Sequence, residues 1–328
     1  MSNKLKTALV GAGIIGNVHA QCMSTLETPF GAICDIDTKK AEALLLYSPD
    51  AKIYGNFEQM IAEYEPDVIH ICTPHYLHAE MIIYALSRDI NVLCEKPLCI
   101  NYGEIDDILS AEKNSNAKLG ICFQNRYLPA NIFAKNYLKD KEILNAHGKV
   151  IWSRTAEYYR SAEWRGTLDM EGGGALINQA IHTLDLLRWM CGEPDSVLAA
   201  TDNLSLKGVI EVEDTVTAFY DGKQPFGLYA TNAAACSLPV EINFKLANKE
   251  NIVLLPDTVI IDGEVRFSEK THDFLGKDCY GNGHTILISD FYDCLINGKN
   301  FSINGTEAAK TMHLVLKTYQ SNRDKIKI

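Results

Sequence analysis

No stretch of this chain approaches the ~18 consecutive apolar residues that a membrane-spanning helix needs, no two cysteines stand in a C-x-x-C pair, and no basic cluster is present. The first absence argues against an integral membrane protein. The second, with no other metal-ligand spacing, argues against a zinc ribbon or a thioredoxin-like redox centre. The third, with a formal net charge of −11, argues against nucleic acid as a partner, because phosphate binding is driven by clustered Lys and Arg. Internal repeats, low-complexity stretches and charged tails are missing as well. Ten cysteines are present, and most, such as Cys72 and Cys94, sit in apolar runs. That is the usage of reduced, buried thiols, and it predicts a cytoplasmic protein. Lys4 and Lys6 precede an apolar stretch, as in a secretory signal, but three glycines interrupt it and no small-residue cleavage site follows. It reads as a strand and its turn.

What is present is an ordinary globular composition, 47% hydrophobic and 22% charged over 328 residues, a length comfortable for two domains. Short apolar runs alternate with helical patterns up to about Phe123. Strands are predicted at Thr7–Val10, Gly31–Cys34, Asp67–Cys72, Asn91–Cys94 and Lys118–Cys122, with helices at Asn17–Leu26, Thr38–Leu46, His78–Leu86 and Tyr102–Asn114. Such alternation predicts a doubly wound parallel sheet with ligands at the strand C-termini. Beyond Phe123 the pattern becomes a run of strands, at Val150–Tyr158, Val197–Asn203, Thr215–Tyr220, Gly227–Thr231, Glu241–Ala247, Ile252–Leu255, Val259–Ile261 and Val265–Ser268. Asp221-Gly222 and Asp262-Gly263 are hairpin signals. Helices are predicted at Ala175–Met190, Thr285–Ile296 and Thr306–Tyr319. The reading is an α/β chain: a Rossmann domain over residues 1–122, then an α/β domain over 123–328 built on a mostly antiparallel open sheet.

Gly11-Ala12-Gly13-Ile14-Ile15-Gly16 ends the first strand and opens the first helix, the context that gives a G-x-G-x-x-G motif its meaning. The glycines allow a tight turn and close approach of a pyrophosphate, and the helix N-terminus supplies free N–H groups. The alternative is an ordinary strand-to-helix turn. An acidic residue is expected about 20 positions on, and Asp35 ends the second strand. Its carboxylate accepts ribose hydroxyls and repels a 2′-phosphate, so NAD is favoured over NADP, with Lys39 and Lys40 nearby as the opposing signal.

Glu95-Lys96-Pro97 stands at the C-terminal edge of the fourth predicted strand. A lysine there can hydrogen-bond a substrate hydroxyl, and desolvation lowers a lysine pKa toward a useful value; the plainer reading is a surface lysine. Asn178, His182 and Asp185 follow one another at i, i+4 and i+7 on one face of an otherwise apolar helix. His182 can move a proton near neutral pH, with Asp185 orienting its ring. The competing reading is a core histidine satisfied by an aspartate. Gly172-Gly173-Gly174 tilts the reading toward function by allowing another group close to the helix start.

With these residues in view, the chain resembles the glucose–fructose oxidoreductase/inositol dehydrogenase (Gfo/Idh/MocA) family. The resemblance spans essentially the whole length. It rests on Gly11–Gly16, Asp35, the run from Thr73 through Pro74 to His78, Glu95-Lys96-Pro97, Asn125-Arg126, Trp164-Arg165-Gly166, Gly172–Asp185, and Tyr280 through His284. It implies NAD(P)-dependent redox chemistry on sugars, cyclitols or their derivatives, and an open sheet that assembles dimers or tetramers. By that analogy the cofactor is held by Gly11, Gly13, Ile14, Ile15, Gly16, Asp35, Thr73, Pro74, His78, Glu95, Lys96, Trp164 and Arg165. Lys96, often followed by a cis proline, and His182 are the catalytic pair, with Asn178 beside them. Arg126, Trp164, Asn178, His182 and Tyr280 meet the substrate. One departure matters: many members carry aspartate where this chain has Asn178, and an amide takes up no proton. The expected activity is therefore an NAD-dependent dehydrogenase for a secondary alcohol of a sugar, nucleotide sugar or cyclitol. A glycosidase with transient redox and a non-catalytic NAD sensor are the alternatives.

Overall fold

The computed structural model describes residues 5–269 and 281–328. Among these the chain forms two compact units. One comprises residues 5–99, 103–124 and 281–309; the other comprises residues 100–102, 125–269 and 310–328. The helix Gly283–Ile296, late in sequence, thus packs within the first unit.

The first unit holds strands β1 (Thr7–Val10), β2 (Ala32–Cys34), β3 (Lys52–Tyr54), β4 (Val68–Ile71), β5 (Asn91–Cys94) and β6 (Leu119–Ile121) in one parallel sheet of order β3-β2-β1-β4-β5-β6. This is the doubly wound Rossmann order. β1, β2 and β4 are buried throughout, as a sheet covered by helices on both faces requires. The strand order reverses between β1 and β4. Gly11, Asp35, Thr73 and Lys96 directly or closely follow the C-termini of β1, β2, β4 and β5, along the edge where such sheets take ligands. β3 and the helix Phe57–Tyr64 were not expected from the sequence. Lys-Ile-Tyr is too short to show an alternation.

The second unit is built on a sheet of nine strands: β7 (Ile143–Ile151), β8 (Ser196–Asp202), β9 (Thr215–Asp221), β10 (Phe226–Thr231), β11 (Glu241–Leu246), β12 (Asn251–Leu254), β13 (Thr258–Ile261), β14 (Glu264–Ser268) and β15 (Ile326–Lys327). Their order is β14-β13-β12-β11-β7-β10-β9-β8-β15, and only β7 and β10 pair in parallel. The strand expected over Val150–Tyr158 begins earlier, at Ile143, and residues Ala156–Arg160 are helical instead. A register shift against Lys245/Leu246 breaks the alternation at the start of β7 and leaves Leu144 exposed, so the period-2 signal is lost there.

One face of the sheet is covered. Thr183 and Leu187 of the helix Ile181–Cys191 press on Gly148 of β7, where a Cβ would fall 2.6 Å from the Thr183 methyl. The unpredicted helix Pro129–Leu138 stacks Phe133 on Phe267 of β14, with ring centroids 5.1 Å apart. On the uncovered face Leu198, Phe219 and Tyr229 are 43%, 49% and 40% exposed, and Leu198 pairs directly with Phe219.

Candidate active site

The glycine turn is built as dinucleotide binding demands. Gly11 has φ +92°, and a Cβ there would lie 2.5 Å from the Cys72 carbonyl oxygen at the end of β4. A Cβ on Gly16 would collide with the Gly11 carbonyl, so this glycine lets the helix Ile14–Thr25 sit tight on the turn. Gly13 differs: it is exposed, and a Cβ would meet no protein atom within 4 Å. Backbone there can be approached by a ligand, and Ile14 beside it is 74% exposed. Asp35 accepts the Ala12 N–H at 2.7 Å through Oδ2 and the Asp37 N–H at 2.8 Å through Oδ1. Its carboxylate is thereby fixed against the glycine turn and only partly covered. These residues fit the adenosine and pyrophosphate portions of NAD.

The loops after β4 and β5 are tied together by His78, whose Nδ1 lies 2.7 Å from the Pro97 carbonyl and Nε2 3.0 Å from that of Thr73. Burial lowers its pKa, with the two carbonyls opposing. The Lys96–Pro97 peptide is cis. Lys96 is half-buried, and its backbone N–H donates to Glu95 Oε2 at 3.3 Å.

Glu95 anchors a polar network that sequence reasoning missed. Its Oε1 lies 3.0 Å from His19 Nε2 and 3.1 Å from His284 Nε2. His19 Nδ1 is 2.8 Å from His70 Nδ1, and His70 Nε2 is 2.7 Å from the Tyr292 hydroxyl. All five residues are buried. Burial opposes the charge on Glu95, but the hydrogen bonds from the two histidines outweigh it and hold the carboxyl well below its usual range. Burial depresses His19 and His70. A carboxylate only accepts, so each histidine facing Glu95 presents Nε2–H. In the neutral His19 ring Nδ1 then accepts from His70 Nδ1–H, and His70 Nε2 accepts from Tyr292. His19, Glu95 and His284 bring one potential metal-ligand atom each to within 4.8 Å of one another, a grouping that no local spacing reveals. In this structure those atoms bond to each other, fixing the loop that carries Lys96.

In the second unit the helix predicted over Ala175–Met190 is a π-helical turn, Ala175–Ala180, continued by the α-helix Ile181–Cys191. From Gly173 to Arg188 every residue is buried except Asn178 and His182, which are half-exposed. The orienting role expected for Asp185 is not what its carboxylate does. Arg126 donates Nε–H to Oδ2 at 2.7 Å and Nη2–H to Oδ1 at 2.6 Å, and the Thr311 hydroxyl donates to Oδ1 at 2.7 Å. Asp185 and Arg126 are 1% and 7% exposed. The bidentate guanidinium is the stronger partner for a carboxylate. Arg126, expected at the substrate, is therefore engaged in holding the helix of His182.

Asn178 is positioned by Glu171, another residue the sequence did not single out. The amide Nδ2 donates to Glu171 Oε1, while Glu171 Oε2 accepts the Gly166 N–H. Glu171 is 1% exposed. Since the carboxylate can only accept, Asn178 must turn its NH2 toward Glu171. The triple glycine serves packing within the protein: a Cβ on Gly173 would strike the Tyr319 hydroxyl, and one on Gly174 the Glu213 carbonyl. Glu213 in turn accepts from the Gly174 N–H at 2.8 Å, the Leu176 N–H at 2.9 Å and the Tyr319 hydroxyl at 3.0 Å. Burial nevertheless pushes its pKa up to about 7. Trp164 and Arg165 stack, the guanidinium 4.6 Å from the indole. Tyr280 lies outside the described residues.

Comparison with known proteins agrees with this geometry. Residues 5–123 match the GFO_IDH_MocA family described as "Oxidoreductase family, NAD-binding Rossmann fold", and residues 142–237 match the GFO/IDH/MocA C-terminal domain. The chain belongs to this family and is a nicotinamide-dependent oxidoreductase. It is 25% identical over 306 residues to inositol 2-dehydrogenase of Salmonella paratyphi B, covering 90% of this chain and 87% of that one. The WlbA dehydrogenase of Bordetella pertussis, solved with NADH and UDP-GlcNAcA, superposes with a TM-score of 0.87 at 25% identity over 100% of this chain and 99% of that one. Levoglucosan dehydrogenase, solved with NADH and levoglucosan, shares the fold with a TM-score of 0.88 at 21% identity, covering 99% of each chain.

Proposed function

We propose that this protein oxidises a secondary alcohol of a sugar, nucleotide sugar or cyclitol with NAD, Lys96 and His182 handling the hydroxyl proton. The observation that carries the reading is the burial pattern around the His182 helix. The buried Arg126–Asp185 ion pair and the Thr311 hydroxyl immobilise it, and between Gly173 and Arg188, Asn178 and His182 alone are half-exposed. A polar group on so buried an element is retained because it is satisfied or used. When bound, NAD supplies the hydride acceptor. The chain's own residues do the rest. Gly11, Gly13 and Gly16, with Ile14 and Ile15, hold the pyrophosphate, and Asp35 takes the ribose hydroxyls. Thr73, Pro74, His78 and Glu95 shape the loops around Lys96. His182 accepts the hydroxyl proton as general base, Lys96 stabilises the developing alkoxide, and Asn178 Oδ1 accepts from a neighbouring hydroxyl.

We propose a cofactor domain over the chain up to about residue 122 and a substrate and assembly domain beyond it, with the helix Gly283–Ile296 packing back within the first unit. We place the protein in the cytoplasm, on the support of its buried free thiols, as a homodimer or homotetramer. The uncovered sheet face with Leu198, Phe219 and Tyr229 supports self-association. The test is NADH formation with NAD across sugars, cyclitols, glycosides and nucleotide sugars. A rising signal with one class, lost in both Lys96→Ala and His182→Ala while NAD still binds, is expected. Glycoside cleavage without net NADH would replace this reading by transient redox hydrolysis. NAD binding without any turnover would replace it by a sensor.

A further inference from the structure

Four segments far apart in sequence meet at Glu95 inside the first unit. His19 comes from the helix Ile14–Thr25, Glu95 from the end of β5, Cys122 from the end of β6, and His284 from the helix Gly283–Ile296, which returns from late in the chain. All four side chains are buried. Glu95 Oε1 lies 3.0 Å from His19 Nε2 and 3.1 Å from His284 Nε2. Cys122 Sγ is 3.9 Å from the same His19 Nε2 and hydrogen-bonds with Glu95. Two nitrogen or oxygen ligands of one tetrahedral zinc stand about 3.3 Å apart, and a nitrogen and a sulfur about 3.6 Å. The three measured separations are within a few tenths of an ångström of that spacing, and one donor atom each from His19, Glu95 and His284 lie within 4.8 Å of one another.

Charge points the same way. Glu95 is a buried carboxylate whose ion-pair partners among the described residues are the two histidines, with no lysine or arginine. A divalent cation, the Glu95 carboxylate and a Cys122 thiolate sum to zero, which a buried cluster tolerates far better than a lone charge. The surrounding groups suit ligation as well. A histidine that ligates through Nε2 carries its proton on Nδ1, and a hydrogen-bond partner fixes that tautomer. His19 Nδ1 lies 2.8 Å from His70 Nδ1, and His70 Nε2 lies 2.7 Å from the Tyr292 hydroxyl. With an ion bound, His19 Nδ1–H donates to His70, His70 Nε2–H donates to Tyr292, and Tyr292 donates to Thr7 or Thr28, with which it hydrogen-bonds. The rings stay neutral, and the one proton released is that of the Cys122 thiol, which passes to solvent.

We propose that His19, Glu95, Cys122 and His284 bind one zinc-type divalent cation as a closed structural site that clasps the late helix to the Rossmann sheet. Glu95 Oε2 stays turned to the Lys96 N–H, so the site leaves Glu95 its place in the cofactor loop. The proposal does not rest on the dehydrogenase reading.

The test is metal content and spectrum, with NADH formation playing no part in it. The whole protein is purified without chelator or metal-affinity resin and its zinc measured by mass spectrometry. A second preparation is produced in cobalt-supplemented medium for absorption spectroscopy in the absence of NAD. One zinc per chain is expected in the first, and in the second the bands of tetrahedral cobalt(II) with a thiolate charge-transfer band. Cys122→Ser should remove that band, and His284→Gln should lose the metal. The glutamine amide still gives an N–H to Glu95, so this variant keeps the hydrogen bond and controls for folding by circular dichroism. Protein free of metal in both preparations overturns the proposal and leaves a hydrogen-bond network alone. Metal content that is unchanged in His284→Gln and in His19→Asn overturns it too, because the ion would then sit elsewhere. A cobalt spectrum without the thiolate band overturns the four-ligand assignment.

Discussion

Asn178→Asp is the most informative single substitution, because it installs the residue that many relatives carry where this chain has an amide. Here the new carboxylate would face Glu171, which is 1% exposed and now accepts the Asn178 NH2. The charge-assisted hydrogen bond, worth roughly 1.5–3 kcal/mol, is lost. Two carboxylates about 4 Å apart repel by about 4 kcal/mol at an effective dielectric of about 20. The pair can relieve this by sharing one proton, which raises its apparent pKa in the folded state. The folded variant then binds more protons than its unfolded chain, so its stability deficit is greatest at high pH and shrinks as pH falls. We expect Asn178→Asp to lose about 2–4 kcal/mol relative to the native protein at pH ~8, and less than half of that at pH ~5. Urea unfolding of both proteins at the two pH values measures it. Glu171→Gln/Asn178→Asp should recover most of the loss. Equal stability at high pH, or a deficit that does not change with pH, would refute the claim that Glu171 dictates an amide here.

Gly13→Ala should melt like the native protein yet bind NAD at least tenfold more weakly, since its Cβ meets only the space a ligand needs. Gly11→Ala should lose about 2 kcal/mol or more of stability, from a left-handed φ and the Cys72 carbonyl; calorimetry and NAD titration separate the two. Asp35→Ser should weaken NAD roughly tenfold and narrow its advantage over NADP in equilibrium titration. Asp185→Asn removes the carboxylate from the buried Arg126–Asp185 ion pair and should cost about 3–5 kcal/mol in urea unfolding. Glu213 has its folded pKa raised from 4.5 to about 7, so the folded state holds the extra proton in that window and stability falls as pH rises through it, by about 3 kcal/mol in all. Glu213→Gln should flatten the stability–pH curve there, and an unchanged slope would refute the assignment.

How much of this was legible depended on whether a signal was local. Continuous apolar runs need no partner to be read: Thr7–Val10, Asn91–Cys94 and the helix His78–Leu86 fall where the pattern places them, because burial on both faces or a clean helical period leaves an unbroken trace. The glycine turn and Asp35 were equally plain, since their spacing is set by one turn and one neighbouring strand. Trp152–Tyr158 misled because aromatic and bulky residues also mark strands, whereas here Arg154 and Arg165 capture the rings by stacking. The helix Pro129–Leu138, absent from the expected elements, opens on a proline at its first turn, a position that suits proline although proline equally marks turns.

The partners of the site were not legible, and the reason is competition. From spacing, Asp185 is a neighbour of His182 one helical turn on, and a carboxylate so placed orients an imidazole when nothing better is available. In the fold, Arg126 arrives from 59 residues upstream with two donors in one plane, and Thr311 from 126 residues downstream with a third. A fixed guanidinium fork outcompetes a single ring N–H for a buried carboxylate. The same logic governs Glu95, whose three polar partners lie at positions 19, 96 and 284, and Asn178, whose amide is dictated by Glu171. A sequence pattern therefore finds the groups that face a ligand, because those must sit at fixed offsets on one element. It misses the groups that hold them, because any element that folds against the site can supply those. Substitutions at Glu171 and Arg126 should accordingly alter stability and the orientation of Asn178 and His182, and substitutions at His19 the stability of the loop that carries Lys96, whereas a substitution at His182 itself should alter turnover first.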